Sequence, residues 1–439
     1  MATVKIHIIH VGDMTNKGTE ALLRSDISAI KDIVGDVSVS VSTTDVEGVK
    51  RLGLPLDTIL PVMVNIPYKT ADRLAKKLGV SRTTLRYKAF AIAGLIYMSI
   101  QSILLLISAT LTRFGLKAFY RTEVLKRIKN CAVVISCSDE NFKEAASLLP
   151  SNIYWILTWW SMLFERTLEI LMVRFLGKPT VMFPNSVGPF RTWVGRFLSR
   201  LSLNNCEYIL IREPISYEIV RSLGIKSHKI LTFDAALLYK PKKRTNFETL
   251  PCPTIGVCPG IYSHSLSIQE VNNYILEHAK ALDAAIRNYG FNVLFLPHYV
   301  SGFEYDDFKM SDLILQKMKN KNRAKIVKVS SLEEFKSFLD HMSLIISSKM
   351  HPAVLGISGC VPTLCIAYDH KQIGLFDSLD MLNCTIHLRD VSCERLLSTI
   401  DFIWKEKEKI TASLRIRIPE MQKNVRKAMK EALAPFIVK

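Results

Sequence analysis

Short apolar runs alternate with longer amphipathic segments along most of this chain. A largely apolar run at 4–9 is followed by a segment at 19–33 in which leucine and isoleucine recur at helical spacing, and valine alternates with serine at 37–42. The alternation resumes near residue 131 and again near residue 254. Strands that alternate with helices are typical of a parallel sheet covered by helices on both faces. The pattern therefore predicts an α/β protein.

A polar, proline-containing segment at 241–253 separates the two α/β stretches and is typical of a linker. We therefore predict a Rossmann-like domain at 1–240 and a second Rossmann-like domain at 254–439, whose last helices pack back across the domains. A chain of 439 residues is long enough for two domains with full cores. An insertion at about 46–129 interrupts the alternation in the first domain.

An apolar run at 89–112 lies inside this insertion and contains no charged residue. Its length suits a transmembrane helix, but the strands predicted before and after it belong to one parallel sheet, which a single crossing would divide between two compartments. Lysine and arginine flank both ends, and the net charge is +18. We therefore expect the run to rest on an anionic membrane surface. A hairpin with a second membrane segment, a buried core helix and a homo-oligomer contact are the alternatives.

The nine cysteines include no C-x-x-C pair and no metal-ligand spacing, which indicates a reducing compartment and predicts no metal site. No secretory signal precedes the first predicted strand. We therefore expect a cytoplasmic protein, peripheral or monotopic on the inner face of the cell membrane.

An anion site is predicted within 347–376, SSKMHPAVLGISGCVPTLCIAYDHKQIGLF. A strand leads into a short turn that carries Lys349 and His351, a small-residue helix and an apolar strand follow, and Lys371 is expected on the next loop. Helix N-termini favour anions, and the carboxyl ends of strands form the ligand-binding edge of open α/β sheets. The segment therefore indicates a phosphorylated or carboxylated substrate. A buried strand–helix–strand unit with incidental polar ends is the alternative.

The order of these features, S-x-[RK]-x-H, a small-residue helix, V-P, an apolar strand and Y-D-x-K, resembles the signature of the polysaccharide pyruvyl transferase family. Four further segments resemble elements of that family in the same order: VKIHIIHVGDMTNKGTEALL, FPNSVGPF, IREPISYEIVRSLGI and FDAALLY. The resemblance implies two Rossmann-like domains facing a cleft, a glycosyltransferase-B-like architecture. It also implies transfer of a pyruvyl ketal group from phosphoenolpyruvate, without a cofactor, to a sugar of a cell-surface polysaccharide or its lipid-linked precursor.

The chain departs from the family pattern at two places. In VVISCSDENF, Ser136, Cys137 and Ser138 replace glycines that would let the backbone approach a ligand closely. Lys349 replaces an arginine, which keeps the charge but loses the bidentate fork. The altered turn leaves a family member without activity as one alternative.

The resemblance also implies roles for individual residues. His351 would be the general acid or a phosphate ligand, and Lys349, Lys371 and Arg191 would bind the phosphate and carboxylate of the donor. Glu20 would orient or deprotonate the acceptor hydroxyl. The alternative for Glu20 is a carboxylate that the helix dipole stabilises at a helix start.

Asn16, Arg212 and His298 are weaker candidates for contacts with the acceptor or the cleft. Asn16 also suits the shaping of the first strand–helix turn, and His298 a structural hydrogen bond. Arg212 equally suits an ion pair with Glu213 or another nearby carboxylate.

Two other functions compete with pyruvyl transfer. A nucleotide-sugar-dependent glycosyltransferase would share the architecture and the basic cleft. The segment 74–88, LAKKLGVSRTTLRYK, has the pattern of a helix-turn-helix. Because this segment adjoins the apolar run and interrupts an α/β domain, we expect no nucleic acid partner.

Overall fold

The computed structural model describes residues 3–79, 85–144, 153–241, 253–261, 266–299 and 306–437. The strands are β1 (Val4–Val11), β2 (Val37–Thr43), β3 (Thr58–Pro61), β4 (Val133–Ser136), β5 (Asp139–Phe142), β6 (Thr180–Val187), β7 (Tyr208–Ile211), β8 (His228–Leu231), β9 (Thr254–Cys258), β10 (Asn292–Phe295), β11 (Ala324–Ile326), β12 (Leu344–Ser347), β13 (Thr363–Ala367) and β14 (Thr385–His387). The α-helices are α1 (Lys17–Val34), α2 (Val46–Arg51), α3 (Pro67–Leu78), α4 (Leu85–Arg113), α5 (Thr122–Asn130), α6 (Ile153–Phe175), α7 (Trp193–Leu203), α8 (Pro214–Ser222), α9 (Ile268–Tyr289), α10 (Asp307–Lys317), α11 (Leu332–Asp340), α12 (Met350–Ser358), α13 (His370–Asp377), α14 (Cys393–Lys405) and α15 (Lys407–Ile437). Short 3₁₀ helices lie at Ala235–Leu238, Lys321–Arg323, Leu382–Cys384 and Leu388–Asp390.

The strands form two parallel sheets, one in each half of the chain. The first has the order β3-β2-β1-β4-β6-β7-β8, and β5 also pairs with β6. The second has the order β11-β10-β9-β12-β13-β14. The prediction of two α/β units built on parallel sheets is therefore confirmed.

The alternation of side chains along β1 explains how the first sheet is buried on both faces. Ile8 lies in a core shared with Leu22 of α1 and with the second sheet, whereas the next residue, Ile9, lies in a core with Leu125 of α5 and Leu163 of α6. Successive residues of a strand point to opposite faces, so a strand buried on both faces requires helices on both sides.

The insertion predicted at 46–129 contains an element that the sequence pattern did not predict. β3 extends the first sheet beside β2, and the apolar run forms α4, which packs against α3 and α6. Because β1 pairs with both β2 and β4, the strands before and after α4 lie in one sheet, as expected. Within the described residues, one helix, Lys88–Arg113, is long and apolar enough to cross a membrane.

Two other predicted segments fall partly outside the described residues. The helix-turn-helix pattern at 74–88 includes 80–84, and the linker at 241–253 includes 242–252, for which the structure gives no description.

The C-terminal helix returns across the N-terminal half, as the sequence pattern predicts. Arg426 of α15 pairs with Asp32 of α1, with 2.9 Å between Nη1 and Oδ2. The Gln422 side chain donates to the carbonyl oxygen of Leu237 at 2.7 Å. The two halves are therefore joined by α15 as well as by the contacts of the cleft.

Candidate active site

The carboxyl edges of the two sheets meet where α1 begins. Asn16 is the N-cap of α1, and its Oδ1 accepts the N–H of Gly18 at 2.9 Å. The same N–H donates to Nε2 of His298 at 3.0 Å, and a short antiparallel bridge joins Asn16 to Tyr299. A Cβ on residue 18 would overlap the imidazole of His351, so glycine allows that ring to lie against the backbone here.

His351 lies in the first turn of α12 rather than in the turn before it. Lys349 is the N-cap and the helix begins at Met350, so His351 belongs to the first turn, whose backbone N–H groups have no partner within the helix. Its Nε2 atom is buried and has no hydrogen-bond partner. The ring stacks with that of His298, with 6.4 Å between centroids. The second ring nitrogen of His298, Nδ1, is also buried without a partner.

Burial lowers the pKa of His351 below its ordinary value, and neighbouring charges act in both directions. The carboxylates of Asp234 and Asp139 raise the pKa, whereas the cations of Arg212 and Lys371 lower it. The net shift is downward, so the imidazole is neutral at neutral pH. An anionic ligand beside it would raise that pKa.

Arg212, at the end of β7, is the buried cation of this site and is 1% exposed. Its Nη1 donates to Oδ2 of Asp234 at 2.8 Å, and its Nε donates to Oγ of Ser186 at 2.8 Å. The remaining nitrogen, Nη2, is buried without a hydrogen-bond partner. The sequence did not decide which carboxylate pairs with Arg212, and the structure shows that it is Asp234. Buried donors are rarely left unpaired, so Nη2 and the unpaired nitrogen of His351 together indicate a place for an anionic ligand.

Lys371 lies in the first turn of α13, not on the loop that was expected. Its Nζ pairs with the Glu140 carboxylate of the first domain, which also pairs with Nζ of Lys143 at 2.7 Å. The Lys143 ammonium lies 3.8 Å from Oδ2 of Asp369. Burial alone would raise the pKa of Glu140, but Lys143 and Lys371 hold it well below its usual range.

His370 continues this row of charges across the cleft. Its Nδ1 lies 2.7 Å from Oδ1 of Asp369, and its Nε2 lies 3.5 Å from Oε1 of Glu213 and 3.1 Å from Oγ of Ser216. Burial would lower the pKa of His370, but the hydrogen bonds to Asp369 and Glu213 raise it to about 9. Protonated His370, bonded to Asp369 and Glu213, therefore stabilises the folded state. This contribution is fully present below the ordinary pKa of 6.5 and is lost as the pH rises through about 9.

We call these six residues the interdomain charge cluster: Glu140, Lys143, Glu213, Asp369, His370 and Lys371. The sequence pattern indicated Lys371 as a site residue but no role for Glu140, Lys143, Asp369 or His370. The available signal was the run of charges in SDENFKE and in YDHK. Only the facing of the two sheets shows that these runs meet.

The remaining candidates occupy different surroundings. Nζ of Lys349 lies 3.3 Å from Oδ1 of Asp307, whose other oxygen accepts the backbone N–H groups of His298 and Tyr299. Lys349 therefore helps to hold the His298 loop. Arg191 is exposed before α7, and its backbone N–H donates to Oε2 of Glu144 at 2.7 Å.

Glu20 faces another side of α1. Its Oε1 accepts Nε of Arg24 at 2.7 Å, and Glu333 of α11 lies near the same arginine. Two residues along a helix correspond to about 200° around its axis, so Glu20 points away from the face on which Gly18 meets His351. The described contacts of Glu20 fit the alternative of a carboxylate within a helix start.

The turn that lacks the family glycines is held by a buried carboxylate. Oδ1 of Asp26 accepts Oγ–H of Ser138 at 2.7 Å, and Oδ2 accepts the Ser138 backbone N–H at 2.8 Å. Burial raises the pKa of Asp26 to about 7, partly offset by the bonds from Ser138. The turn is thus braced from α1. Among the described residues, no group of three or more His, Cys, Asp or Glu side chains could hold a metal ion.

Comparison with known proteins agrees with the sequence resemblance. The family model for polysaccharide pyruvyl transferase matches residues 16–370. Among curated proteins, the chain is similar to the amylovoran biosynthesis protein AmsJ of Erwinia amylovora, with 21% identity over 240 residues that cover 50% of this chain and 55% of that protein. The match thus spans about half the length of that relative.

Solved structures share the two-domain architecture at low identity. The UDP-GlcNAc 2-epimerase of Neisseria meningitidis, bound to UDP-GlcNAc, matches with a TM-score of 0.57 and 10% identity, covering 98% of this chain and 100% of that chain. A UDP-glucose:anthocyanidin 3-O-glucosyltransferase in complex with UDP matches with a TM-score of 0.56 and 11% identity, covering 99% of each chain. These likenesses confirm the predicted glycosyltransferase-B-like fold.

Proposed function

We propose that this chain, which belongs to the polysaccharide pyruvyl transferase family, moves a pyruvyl group from phosphoenolpyruvate to two hydroxyls of a polysaccharide sugar or its lipid-linked precursor. The observation that carries the proposal is that Nη2 of buried Arg212 and Nε2 of His351 both lack a hydrogen-bond partner, in two residues close enough for the Arg212 charge to lower the pKa of His351. A donor with a phosphate and a carboxylate would satisfy both nitrogens and the α12 N-terminus.

The reaction needs a proton at the methylene carbon of the donor. When the donor dianion enters, its charge raises the pKa of His351, and the imidazolium protonates that carbon. One sugar hydroxyl adds to the adjacent carbon, inorganic phosphate leaves, and the second hydroxyl closes the ketal. One hydroxyl proton restores the imidazolium and the other leaves on the inorganic phosphate, so the protons balance and no cofactor is required.

Direct assay of the purified protein tests the proposal. The protein is incubated with phosphoenolpyruvate and a panel of lipid-linked and nitrophenyl sugars, and phosphate release and ketal formation are measured by colorimetry and mass spectrometry. Release of phosphate together with a sugar heavier by one pyruvyl ketal supports the proposal. Turnover of a UDP-sugar in place of phosphoenolpyruvate would reject it.

Lys371→Met is expected to raise the donor KM by about 10- to 100-fold with a smaller change in kcat, because it removes a cation that contacts the donor in both ground and transition states. The matched variant is Glu140→Gln, which removes the carboxylate now paired with Lys371. Because the donor must displace that carboxylate, Glu140→Gln should lower the donor KM. The measurement is steady-state phosphate release as a function of phosphoenolpyruvate concentration.

The two variants must move the KM in opposite directions. An unchanged KM in Lys371→Met would place Lys371 outside the donor pocket. A higher KM in Glu140→Gln would mean that this carboxylate assists binding instead of competing with the donor. Thermal unfolding of both proteins serves as the control, since each change also breaks an interdomain ion pair.

The likeness to nucleotide-sugar enzymes makes a glycosyltransferase the second candidate, and metal dependence helps to separate the two. For pyruvyl transfer we expect full activity in a chelator, because arginine, lysine and helix N–H groups meet the donor charge. Loss of activity in EDTA that Mg²⁺ or Mn²⁺ restores, with release of UDP from a nucleotide sugar, would favour the glycosyltransferase.

A further inference from the structure

Helix α4 turns four of its polar side chains toward the protein, Gln101, Ser102, Ser108 and Thr112, and a row of large aliphatic side chains toward the outside. Ser99 and Thr110 are exposed. On the inward side, Oε1 of Gln101 accepts the backbone N–H of Asn65 at 2.9 Å. Oγ of Ser108, also buried, accepts the backbone N–H of Tyr120 at 3.0 Å. An ordinary surface helix in water has the reverse arrangement.

The outward face of α4 is a continuous aliphatic stripe at helical spacing. All its members are about half exposed or more: Ile92, Ile96, Ile100, Ile103, Leu106 and Ile107. Exposed basic residues stand at both ends of the helix: Arg86, Lys88, Arg113 and Lys117. Contiguous exposed apolar surface of this size marks a site of interaction.

Helix α7 adds a second exposed face of matching chemistry. Trp193, Arg196, Phe197 and Arg200 are all exposed and follow the i, i+3, i+4, i+7 spacing of one helix face. Trp193 is 76% exposed, and tryptophan and arginine together are typical of the boundary between lipid and water. Helix α6 packs against both α4 and α7, so both lie on the same side of the first sheet.

We propose that the outward faces of α4 and α7 form one docking surface for an anionic membrane, with α4 lying in the plane of the interface. Spanning is disfavoured because β1 pairs with strands on both sides of α4 in the sequence. A second copy of this chain is disfavoured because it would bring two basic faces together. Anionic headgroups complement the charges at both ends of the stripe.

The geometry of α7 ties this surface to the cleft. The helix follows β6 after a connection of five residues. Its N-cap, Thr192, accepts the indole N–H of Trp160 from α6 at 3.0 Å. The exposed aromatic residues of α7 therefore lie beside the carboxyl edge of the sheet, where the candidate site is. Docking would hold the cleft mouth at the headgroup level, which suits an acceptor carried on a membrane lipid; this last step rests on the proposed function.

The test is vesicle flotation of the full chain with the triple variant Ile96→Ser, Ile100→Ser and Ile103→Ser. With vesicles of equimolar phosphatidylglycerol and phosphatidylcholine, we expect the variant to bind at least about tenfold more weakly than the parent. The matched control is Ile268→Ser with Ile416→Ser, two isoleucines that are 76% and 67% exposed on other helices. The control should bind like the parent, and vesicles of phosphatidylcholine alone should bind the parent less.

Several outcomes would overturn the docking surface. Unchanged flotation of the triple variant is one, and a parent dimer that the triple variant converts to monomer without any vesicle binding is another. The helix orientation is tested by placing cysteines at Lys88 and Lys117 and labelling them with an impermeant maleimide. Labelling of both from the same side supports an in-plane helix, and labelling from opposite sides would show a span.

Activity on water-soluble sugars separates the two proposals. The triple variant should keep phosphate release on such acceptors while losing vesicle binding. Normal vesicle binding in a protein that never uses phosphoenolpyruvate would reject the proposed function and leave the docking surface standing.

Discussion

Replacing His351 with alanine is expected to lower kcat for pyruvyl transfer by about 10²- to 10⁴-fold, the range of a positioned general acid. The imidazole has no buried hydrogen bond from Nε2 to lose, so the fold should survive the change. The measurement combines single-turnover phosphate release with thermal unfolding of the same preparation.

The pH dependence gives His351 a signature that a structural residue would not have. Transfer requires the protonated ring, so activity should fall as the pH rises. In the free enzyme, burial lowers the pKa of His351, and the profile of kcat/KM should therefore break at a lower pH than that of kcat, which reports the donor complex. The limb assigned to His351 should be missing from the residual activity of the alanine variant.

His278→Ala is the control for this experiment. His278 is another buried histidine, whose Nδ1 bonds the carbonyl oxygen of Tyr274 at 2.7 Å within α9. The His278→Ala substitution should lower the melting temperature while leaving kcat close to the parent value. Near-normal turnover of His351→Ala would show that the acid is a different group.

Arg212→Lys is expected to lower kcat/KM for the donor by about 10²- to 10³-fold, because the lysine keeps one charge but cannot bond Asp234, Ser186 and a ligand anion at once. The same change should destabilise the protein, since it disturbs a fully buried ion pair. Removing one partner of such a pair costs about 3–5 kcal/mol. Donor titration calorimetry and urea unfolding measure the two effects separately.

Asp234→Asn isolates the structural part of that effect. It removes the charge that faces Arg212 and keeps an oxygen able to cap Ala236, which Oδ1 of Asp234 bonds at 2.8 Å. We expect a comparable loss of stability but a smaller loss of donor affinity than in Arg212→Lys. If Arg212→Lys binds the donor as the parent does, Nη2 is not part of the donor site.

The local pattern of the sequence was sufficient for most of the fold. The runs that became β1, β4 and β9 are short and largely apolar because both faces of each sheet are covered, β2 shows the alternation of a strand, and α1 and α9 show the spacing of a one-sided helix. The strand β3 was not predicted because it has only four residues, half-buried at a sheet edge, and Pro61 interrupts its apolar run, which weakens a strand pattern.

The segment around His351 was located from its order of residue types, but its chemistry was only partly predictable. The helix starts of α12 and α13 include His351 and Lys371 because no breaker precedes them. A sequence without coordinates cannot tell a turn from a first helical turn to within two residues.

The sequence by itself determined the order of most strands and helices and the basic and apolar character of the insertion. It also placed Lys349 and Lys371 at strand ends within 347–376. These features depend on neighbours along the chain. Only the tertiary structure decided that Glu140 forms an ion pair with Lys371, that Arg212 pairs with Asp234, and that the aliphatic stripe of α4 points outward. Each of these depends on groups brought together from distant parts of the chain. Their spacing in sequence carries no information on which charges will share a buried site, since burial and pairing are settled only when two sheets close on one another.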